Sequence, residues 1–414
     1  MTETTTARHS GVTFEDVEDA RRVVAPFVYE TPCPQSTMLS RRAGAKVFLK
    51  LENLQMTGSY KERGACNRLS RLTAEERARG VIAFSAGNHA QGVAYHAQRL
   101  GIRATIVMPV YTPLVKVTST RRWGAEVVLF GQSAAEARAE SERLAQAGGL
   151  VTVHPFDDPW IVAGQGTVGL ELLEQNPYLD AVVVPVGGGG LVAGVALVLK
   201  ETNPRIKVYG VEAAAMSSMR ASLAAGHVVE VPSRRTIAEG IAVSRVGAIP
   251  FALAQRYLDD VVTVDDEEIA SAVLTLLEVE KTVVEGAAAS ALAAVLQGHL
   301  PIAGKKVACV LTGGNIDVTM LARIIERGLV KDGRLVRFTA RIADAPGALA
   351  QLTTSLGSLG GNILEINHER AFTSGPIGTT EVEVTLEARG HEQIKEIVTA
   401  LDLLGITVAL DAAR

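Results

Sequence analysis

The stretch Ala181-Val-Val-Val-Pro-Val-Gly-Gly-Gly-Gly-Leu-Val-Ala-Gly-Val-Ala-Leu-Val-Leu199 contains no charged residue. A run of this length is nominally long enough for a membrane-spanning helix, but Pro185 and the glycines 187–190 interrupt it. The pattern therefore predicts a buried strand, a tight turn and a buried helix. Glycines in such a turn let the backbone approach a phosphate, and the N–H groups that open the helix point at it.

Apolar strands alternate with helical segments on both sides of this stretch, from residue 47 to residue 325. This alternation predicts an α/β fold whose parallel sheets are covered on both faces. A polar segment, residues 326–335, reads as a linker. Residues 336–414 then follow the order βαββαβ of a ferredoxin-like domain. The polar N-terminus, residues 1–11, predicts a frayed tail without a signal peptide.

Composition narrows the class of protein. Of the 414 residues, 47% are hydrophobic and 21% charged, which is enough apolar material for a large core. The net charge of −4 argues against nucleic acid or an anionic membrane as a partner. The three cysteines lie far apart with no CxxC spacing, which favours a reducing compartment and a cytoplasmic protein.

The segment Gly58-Ser-Tyr-Lys-Glu-Arg-Gly-Ala65 places a lysine at the start of a predicted helix. Small neighbours leave room around the Lys61 amine, which is the setting that Schiff-base chemistry needs. An ordinary surface lysine explains this octapeptide equally well.

Two further turns follow predicted strands: Ser85-Ala86-Gly87-Asn88-His89 and Thr312-Gly313-Gly314-Asn315. The N–H donors of a helix start at the first turn suit a carboxylate, although a capping turn with a buried histidine is the alternative. Ligands of parallel sheets bind beyond the carboxyl ends of the strands. We therefore expect these two turns and the glycine turn to face one crevice.

A dinucleotide site competes for the same glycines. The pattern Gly188-x-Gly190-x-x-Ala193 satisfies the fingerprint, and Glu212 follows about 20 residues on, as a ribose-binding acid does. A nicotinamide-dependent enzyme is therefore an alternative. A Walker loop is excluded because no Gly-Lys-Ser/Thr follows.

Taken together, the lysine segment, the Ser85 turn, the tetraglycine turn and Leu311-Thr-Gly-Gly-Asn resemble the fold type II pyridoxal-phosphate enzymes. Within this tryptophan synthase β-like fold, the chain most resembles the threonine dehydratase (threonine ammonia-lyase) family. The resemblance implies a two-lobed catalytic domain, residues 1–325, with a small lobe inserted at about 54–154. It also implies a pyridoxal 5'-phosphate-dependent lyase that converts L-threonine to 2-oxobutanoate and ammonia, in isoleucine biosynthesis or threonine catabolism.

The resemblance also implies individual roles. Lys61 would hold the cofactor as a Schiff base and then remove the Cα proton. The cofactor phosphate would contact Gly187, Gly188, Gly189 and Gly190. The ring hydroxyl of the cofactor would contact Asn88, and its pyridine nitrogen would contact Thr312. The substrate carboxylate would contact Ser85, Ala86, Gly87, Asn88 and His89. A threonine hydroxyl makes the ring a weaker electron sink than an aspartate does, which suits elimination.

Several departures from the family pattern matter. Ala86 stands where serine racemases carry a serine, so dehydration is favoured over racemisation; a serine dehydratase or racemase stays an alternative. Glu212 resembles a ligand of a divalent metal, but Ser218 replaces a second carboxylate, so we expect no metal site, or a weak or monovalent one. Glu285 is a candidate for positioning the substrate amine or the ring. An inactive amino-acid sensor is a further alternative, against which Lys61, Asn88 and Thr312 count.

The C-terminal segment resembles an ACT domain, an amino-acid-sensing module. The resemblance rests on Asp344-Ala-Pro-Gly-Ala-Leu349 and Gly361-Asn-Ile363. It implies an effector such as isoleucine or valine, bound where two modules meet, and therefore a homodimer or homotetramer. A domain that only holds subunits together is the alternative. The implied effector contacts are Asp344, Gly347, Ala348, Leu349, Asn362 and Ile363.

Overall fold

The computed structural model describes residues 11–370 and 375–411. The segment predicted to be a frayed tail therefore lies, apart from residue 11, outside the described residues. The chain divides into two compact units, and the boundary lies between Asp317 and Val318. Each unit is described separately below.

The first sheet of the larger unit has six strands. They are β1 (Gln35–Ser36), β2 (Lys46–Lys50), β7 (Ala181–Pro185), β8 (Lys207–Ala213), β9 (Asp260–Val264) and β10 (Lys306–Val310). Their order is β1-β2-β10-β7-β8-β9, and every pairing except β1 with β2 is parallel. The helices that precede or cover this sheet are α1 (Phe14–Val24), α2 (Thr37–Ala43), α8 (Pro159–Gln175), α9 (Gly190–Thr202), α10 (Ser218–Ala225), α11 (Ala248–Tyr257), α12 (Asp266–Val279) and α13 (Gly286–Leu296).

The second sheet has four parallel strands in the order β5-β4-β3-β6. They are β3 (Val81–Phe84), β4 (Ala104–Met108), β5 (Glu126–Leu129) and β6 (Val151–Thr152). The helices of this region are α3 (Lys61–Ser70), α4 (Ala74–Arg79), α5 (Asn88–Leu100), α6 (Leu114–Arg122) and α7 (Ala134–Gly148). The predicted α/β fold with parallel sheets is confirmed.

The charge-free stretch forms β7, a glycine turn and α9, as predicted, and it lies in the core of the first sheet. No helix within residues 11–370 and 375–411 combines the length and the apolarity needed to cross a bilayer. Helix α8 packs so closely on its neighbours that a Cβ at Gly164 would lie 2.7 Å from the Gly64 Cα atom. A Cβ at Gly194 would lie equally close to the Gly166 nitrogen, at 2.7 Å. These backbone contacts fix α3, which begins with Lys61, against the buried centre of the unit.

The smaller unit contains α14 (Val318–Lys331), β11 (Leu335–Ala343), α15 (Ala348–Ser358), β12 (Asn362–Glu369), β13 (Thr379–Glu387), α16 (His391–Leu403) and β14 (Thr407–Leu410). Its antiparallel sheet has the order β12-β13-β11-β14. This is the predicted ferredoxin-like arrangement. The segment expected to be a linker, residues 326–335, is helical in its first part, because α14 continues through it to Lys331. A single glycine inside a helix, here Gly328, costs only about 1 kcal/mol, which the apolar periodicity of the helix outweighs.

Candidate active site

Lys61 is the first residue of α3 and follows a tight turn. The Thr57 N–H donates to the Glu62 Oε2 atom at 2.8 Å and so closes the turn. Lys61 is half-buried, and its amine donates to the Pro155 carbonyl oxygen at 2.9 Å. Burial lowers the pKa of Lys61 to about 8, and the nearby Glu285 carboxylate partly opposes this shift. A lysine with this pKa is substantially neutral near pH 8 and can act as a nucleophile or base.

The turn that follows β10 lies directly against the lysine turn. The Tyr60 N–H donates to the Thr312 carbonyl oxygen at 3.1 Å, and the Gly314 N–H donates to the Gly58 carbonyl oxygen at 2.9 Å. Gly58 adopts a φ of +74°, a conformation that favours glycine. Two of the predicted strand-end features therefore meet at Lys61.

A set of amides and one carboxyl group joins a third element to this pair. The Asn88 Nδ2 atom, at the start of α5, donates to the Glu285 Oε1 atom at 2.7 Å. The Asn315 Nδ2 atom donates to the Asn88 Oδ1 atom at 2.7 Å and to the Thr57 carbonyl oxygen at 2.8 Å. Burial raises the pKa of Glu285 to about 7, although the hydrogen bond from Asn88 favours its charged form. Sequence analysis quoted Asn315 only as part of a motif and assigned it no role.

The glycine turn after β7 packs against Phe156, which follows the residue that accepts the Lys61 hydrogen bond. A Cβ at Gly188 would lie 2.2 Å from the Phe156 ring, and one at Gly190 would lie 3.1 Å from the Phe156 carbonyl oxygen. Because Pro155 precedes this residue and accepts the Lys61 hydrogen bond, one short segment contacts both the amine and the glycines. Sequence analysis missed Pro155 and Phe156, since no local pattern marks them.

The glycine turn also needs its glycines for conformation. Gly189 has a φ of +93° and caps α9. A Cβ there would lie 2.7 Å from the Met219 Cε atom and 2.8 Å from the Pro250 Cβ atom. The N-terminal N–H groups of α9, which lack partners inside the helix, therefore open onto a turn made of backbone. Such a turn can approach a phosphate closely.

The turn at Ser85 immediately precedes α5. The Gly87 N–H donates to the Ser85 Oγ atom at 3.2 Å. The buried His89 ring is hydrogen-bonded through Nε2 to the Val153 carbonyl oxygen at 2.9 Å. Burial, with the neighbouring Lys61 charge, lowers the pKa of His89 to about 3. His89 is therefore neutral at physiological pH and structural, whereas the N–H groups of the helix start suit a carboxylate.

One buried hydroxyl group beside the lysine turn has unused hydrogen-bonding capacity. The Ser59 Oγ atom has no partner among the described residues. Thr312, in the turn that contacts the lysine turn, is 3% exposed. Together with the neutral amine and the glycine turn, these groups fit a ligand that carries a phosphate, an aldehyde and a ring with polar atoms.

Behind the site, a buried ionic network holds the other face of α3. Arg63, two residues after Lys61, donates to the Glu52 oxygens at 2.7 and 2.8 Å and to the Glu171 oxygens at 2.5 and 2.8 Å. The Lys50 amine donates to the Glu171 Oε2 atom at 2.5 Å. The side chains of Arg63, Glu52 and Lys50 are inaccessible to solvent. The network therefore connects α3 with β2 and α8 through charge-assisted hydrogen bonds.

The Glu212 carboxylate is hydrogen-bonded to the start of α10. It accepts the backbone N–H groups of Met219 at 2.7 Å and Arg220 at 2.9 Å. Burial raises the pKa of Glu212 to about 7. The Ser218 hydroxyl donates to the Val243 carbonyl oxygen at 2.7 Å. Across residues 11–370 and 375–411, no three His, Cys, Asp or Glu side chains are grouped as metal ligands.

The candidate effector residues lie at two ends of the C-terminal sheet. Asp344 follows Ala343, the last residue of β11, whereas Asn362 opens β12. Asn362 pairs with Glu387, which in turn pairs with Leu335 at the first position of β11. The length of β11 separates the two groups by roughly 25–30 Å. One chain therefore does not bring them together. Those near Asp344 are Gly347, Ala348 and Leu349, and the one near Asn362 is Ile363.

The chain is similar to known proteins in both sequence and structure. The family model described as pyridoxal-phosphate dependent enzyme matches residues 24–313. An L-threonine ammonia-lyase of Thermotoga maritima is 48% identical over 399 residues, covering 96% of this chain and 99% of that protein. The processed form of threonine deaminase isoform 2 from Solanum lycopersicum is 36% identical, with a TM-score of 0.72 over 78% of this chain and 91% of that one. Maize serine racemase is 35% identical, with a TM-score of 0.73 over 78% of this chain and 99% of that one.

Proposed function

The chain belongs to the family of pyridoxal-phosphate dependent enzymes, and on this premise we propose that it deaminates L-threonine to 2-oxobutanoate and ammonia. The observation that carries the proposal is the meeting of the turns at Thr312 and Asn88 with the lysine turn, beside a Lys61 amine whose pKa burial lowers to about 8. The glycine turn then serves a pyridoxal phosphate rather than a nicotinamide dinucleotide, since Glu212 is engaged by α10.

Different residues of the site bind different parts of the cofactor. Lys61 would hold pyridoxal phosphate covalently, Gly187 to Gly190 would bind its phosphate, Asn88 would donate to its ring hydroxyl and Thr312 would contact its pyridine nitrogen. When bound, pyridoxal phosphate withdraws electrons from the Cα atom of the substrate.

Side chains and backbone groups of the protein carry out substrate binding and proton transfer. The N–H groups between Ser85 and His89 bind the substrate carboxylate. Once the substrate amine has displaced it, the neutral Lys61 amine is free to remove the Cα proton as general base, and the β-hydroxyl of the substrate leaves as water. Ala86 offers no second base on the other side of the site, which favours elimination over racemisation.

An absorption spectrum with and without L-threonine tests the proposal. The purified protein is loaded with pyridoxal phosphate, L-threonine is added, and 2-oxo acid release is followed. A visible band that changes on addition while 2-oxobutanoate accumulates supports it. A response to L-serine alone would move the assignment to a serine dehydratase, and interconversion of serine enantiomers would move it to a racemase. A protein that takes up no cofactor would overturn it.

We propose in addition that the ferredoxin-like unit is an ACT module that senses an amino acid such as isoleucine or valine. Because the two candidate groups lie at opposite ends of one sheet, a complete site needs two copies of the module, one contributing Asp344 and the other Asn362. Isoleucine and valine are therefore titrated into the full-length protein, with activity and oligomeric state measured together. Asn362→Ala should abolish the response, whereas Asn367→Ala on the same strand serves as the matched control. An unchanged response in Asn362→Ala would contradict this site.

Pairing of these modules implies a homodimer or homotetramer. The cysteines Cys33, Cys66 and Cys309 are all unpaired, which supports a reducing, cytoplasmic location. Light scattering of the full-length protein measures the oligomeric state, and a monomer at working concentrations would contradict the proposed pairing.

A further inference from the structure

We propose that Asn315 is a positioning residue that fixes the orientation of the Asn88 side-chain amide toward the bound cofactor. This inference rests on the proposed function, because it concerns how the same site holds its pyridine ring. Asn315 lies in the turn after β10, and Asn88 opens α5. The two residues are far apart in sequence and meet only in the folded unit.

The orientation begins with a backbone group. The Thr57 carbonyl oxygen can only accept hydrogen bonds, so the Asn315 Nδ2 atom must face it, at 2.8 Å. The same nitrogen donates its second hydrogen to the Asn88 Oδ1 atom at 2.7 Å. Both N–H groups of the Asn315 amide are thereby used.

This contact decides which way the Asn88 amide points. Its oxygen faces the Asn315 amide, so its nitrogen faces the Glu285 Oε1 atom at 2.7 Å. Turning the Asn88 amide over would place two NH2 groups against each other and two oxygens against each other. One N–H of Asn88 remains after the bond to Glu285 and is available to the oxygen of the cofactor ring hydroxyl.

The turn before Lys61 makes room for Asn315. A Cβ at position 58 would lie 2.7 Å from the Asn315 Oδ1 atom, and Gly58 has no side chain to occupy that space. Thr57, Asn315, Asn88 and Glu285 thus form one chain of hydrogen bonds that joins four separate segments of the larger unit. Because Asn315 donates both to the lysine turn and to Asn88, it has two possible modes of action, and these can be separated experimentally.

A double-mutant cycle separates them. The apo-proteins of the wild type, Asn315→Ala, Asn88→Ala and the double variant are titrated with pyridoxal phosphate, and affinity and the position of the visible band are recorded. Loss of the positioning contact should weaken cofactor binding roughly tenfold in Asn315→Ala. In the Asn88→Ala background the same substitution should change affinity less than about twofold. An equal loss in both backgrounds would overturn the proposal and assign Asn315 to the lysine turn.

Asn53→Ala is the matched control. Its amide donates to the Thr282 Oγ1 atom at 2.9 Å and to the Val283 carbonyl oxygen at 3.1 Å, beside the same turn but away from Asn88. It should keep the wild-type band position even where its unfolding midpoint falls. An Asn315→Asp variant is measured as well, since its carboxylate would repel both Thr57 and Asn88 and should weaken cofactor binding at least as much as alanine does. Affinity retained in Asn315→Asp would contradict the proposal. A wild type that binds the cofactor without deaminating threonine would reject the proposed function and leave the cycle interpretable.

Discussion

The Lys61 amine and the Pro155 carbonyl oxygen are joined by a hydrogen bond of 2.9 Å. This bond holds the reactive end of a flexible side chain at the segment that packs on the glycine turn. A carbonyl oxygen accepts hydrogen bonds from a charged and from a neutral amine alike. The amine is therefore placed without being forced to carry a charge.

Removal of that amine should abolish the chemistry and leave the fold. Lys61→Ala is expected to lose the visible cofactor band and to reduce turnover by ~10²–10⁴-fold or more, because it removes both the point of attachment and the base. Lys395→Ala, an exposed lysine of the smaller unit, is the control and should behave as the wild type does. Normal turnover in Lys61→Ala would contradict the assignment of this lysine.

Attachment of the cofactor should depend on pH in a characteristic way. Only the neutral amine reacts with an aldehyde, and burial lowers the pKa of Lys61 to about 8. The rate at which apo-protein takes up pyridoxal phosphate should therefore rise with pH and reach half its maximum near pH 8. An exposed lysine would show its midpoint above pH 10. Stopped-flow absorbance across pH 6–10 measures this rate, and a midpoint above pH 10 would refute the lowered pKa.

Substitution of the neighbouring acid should move that midpoint. The Glu285 carboxylate stabilises the charged form of Lys61 and so raises the pKa of the amine. Glu285→Gln keeps the shape but removes the charge, so the midpoint of cofactor attachment should shift to lower pH. The same stopped-flow series measures the shift. Glu174→Gln, on the far side of α8 and paired with Arg21, is the control. A shift to higher pH in Glu285→Gln would contradict this electrostatic account.

Loss of the buried guanidinium should be costly for stability. Arg63→Met leaves the carboxylates of Glu52 and Glu171 without their main partner in the interior, and breaking a buried ion pair typically costs about 3–5 kcal/mol. Urea unfolding, followed by fluorescence, measures the loss. Arg21→Met is the matched control, because its bidentate pair with Glu174 is 43% exposed on the arginine side and should cost less than about 1 kcal/mol. Equal losses in the two variants would show that burial of the network contributes nothing.

Local patterns predicted the parts of the site that local chemistry determines. The lysine segment, the glycine turn and the turns at Ser85 and Thr312 each follow a strand and carry small or polar residues that a turn requires. The meeting of the lysine, glycine and Thr312 turns also follows from a general rule, because these turns follow β2, β7 and β10, which are parallel strands of one sheet. The Ser85 turn follows β3 of the second sheet, so its approach to the other turns does not follow from that rule.

Other parts depend on partners distant in sequence. The local sequence does not indicate that Arg63 is buried, because its partner Glu171 lies more than a hundred residues later in the chain. Pro155 and Asn315 act through a backbone carbonyl and an amide whose partners no periodicity identifies. The sequence patterns assign no bounds to strand β9 or to helices α10 to α13. Helix α13 is almost entirely apolar and buried, so it lacks the polar face by which a helix is recognised.

The position of β10 has a consequence for the synthesis of this protein. This strand is the last of the larger unit to leave the ribosome, yet it lies between β2 and β7 in the middle of the sheet. Until residue 310 has emerged, β2 and β7 each present an unpaired edge, and unpaired edges are templates for aggregation. Chains that terminate shortly before this strand should therefore require chaperones or be degraded, and the cofactor cannot be captured in its complete site until the turn at Thr312 has closed on the lysine.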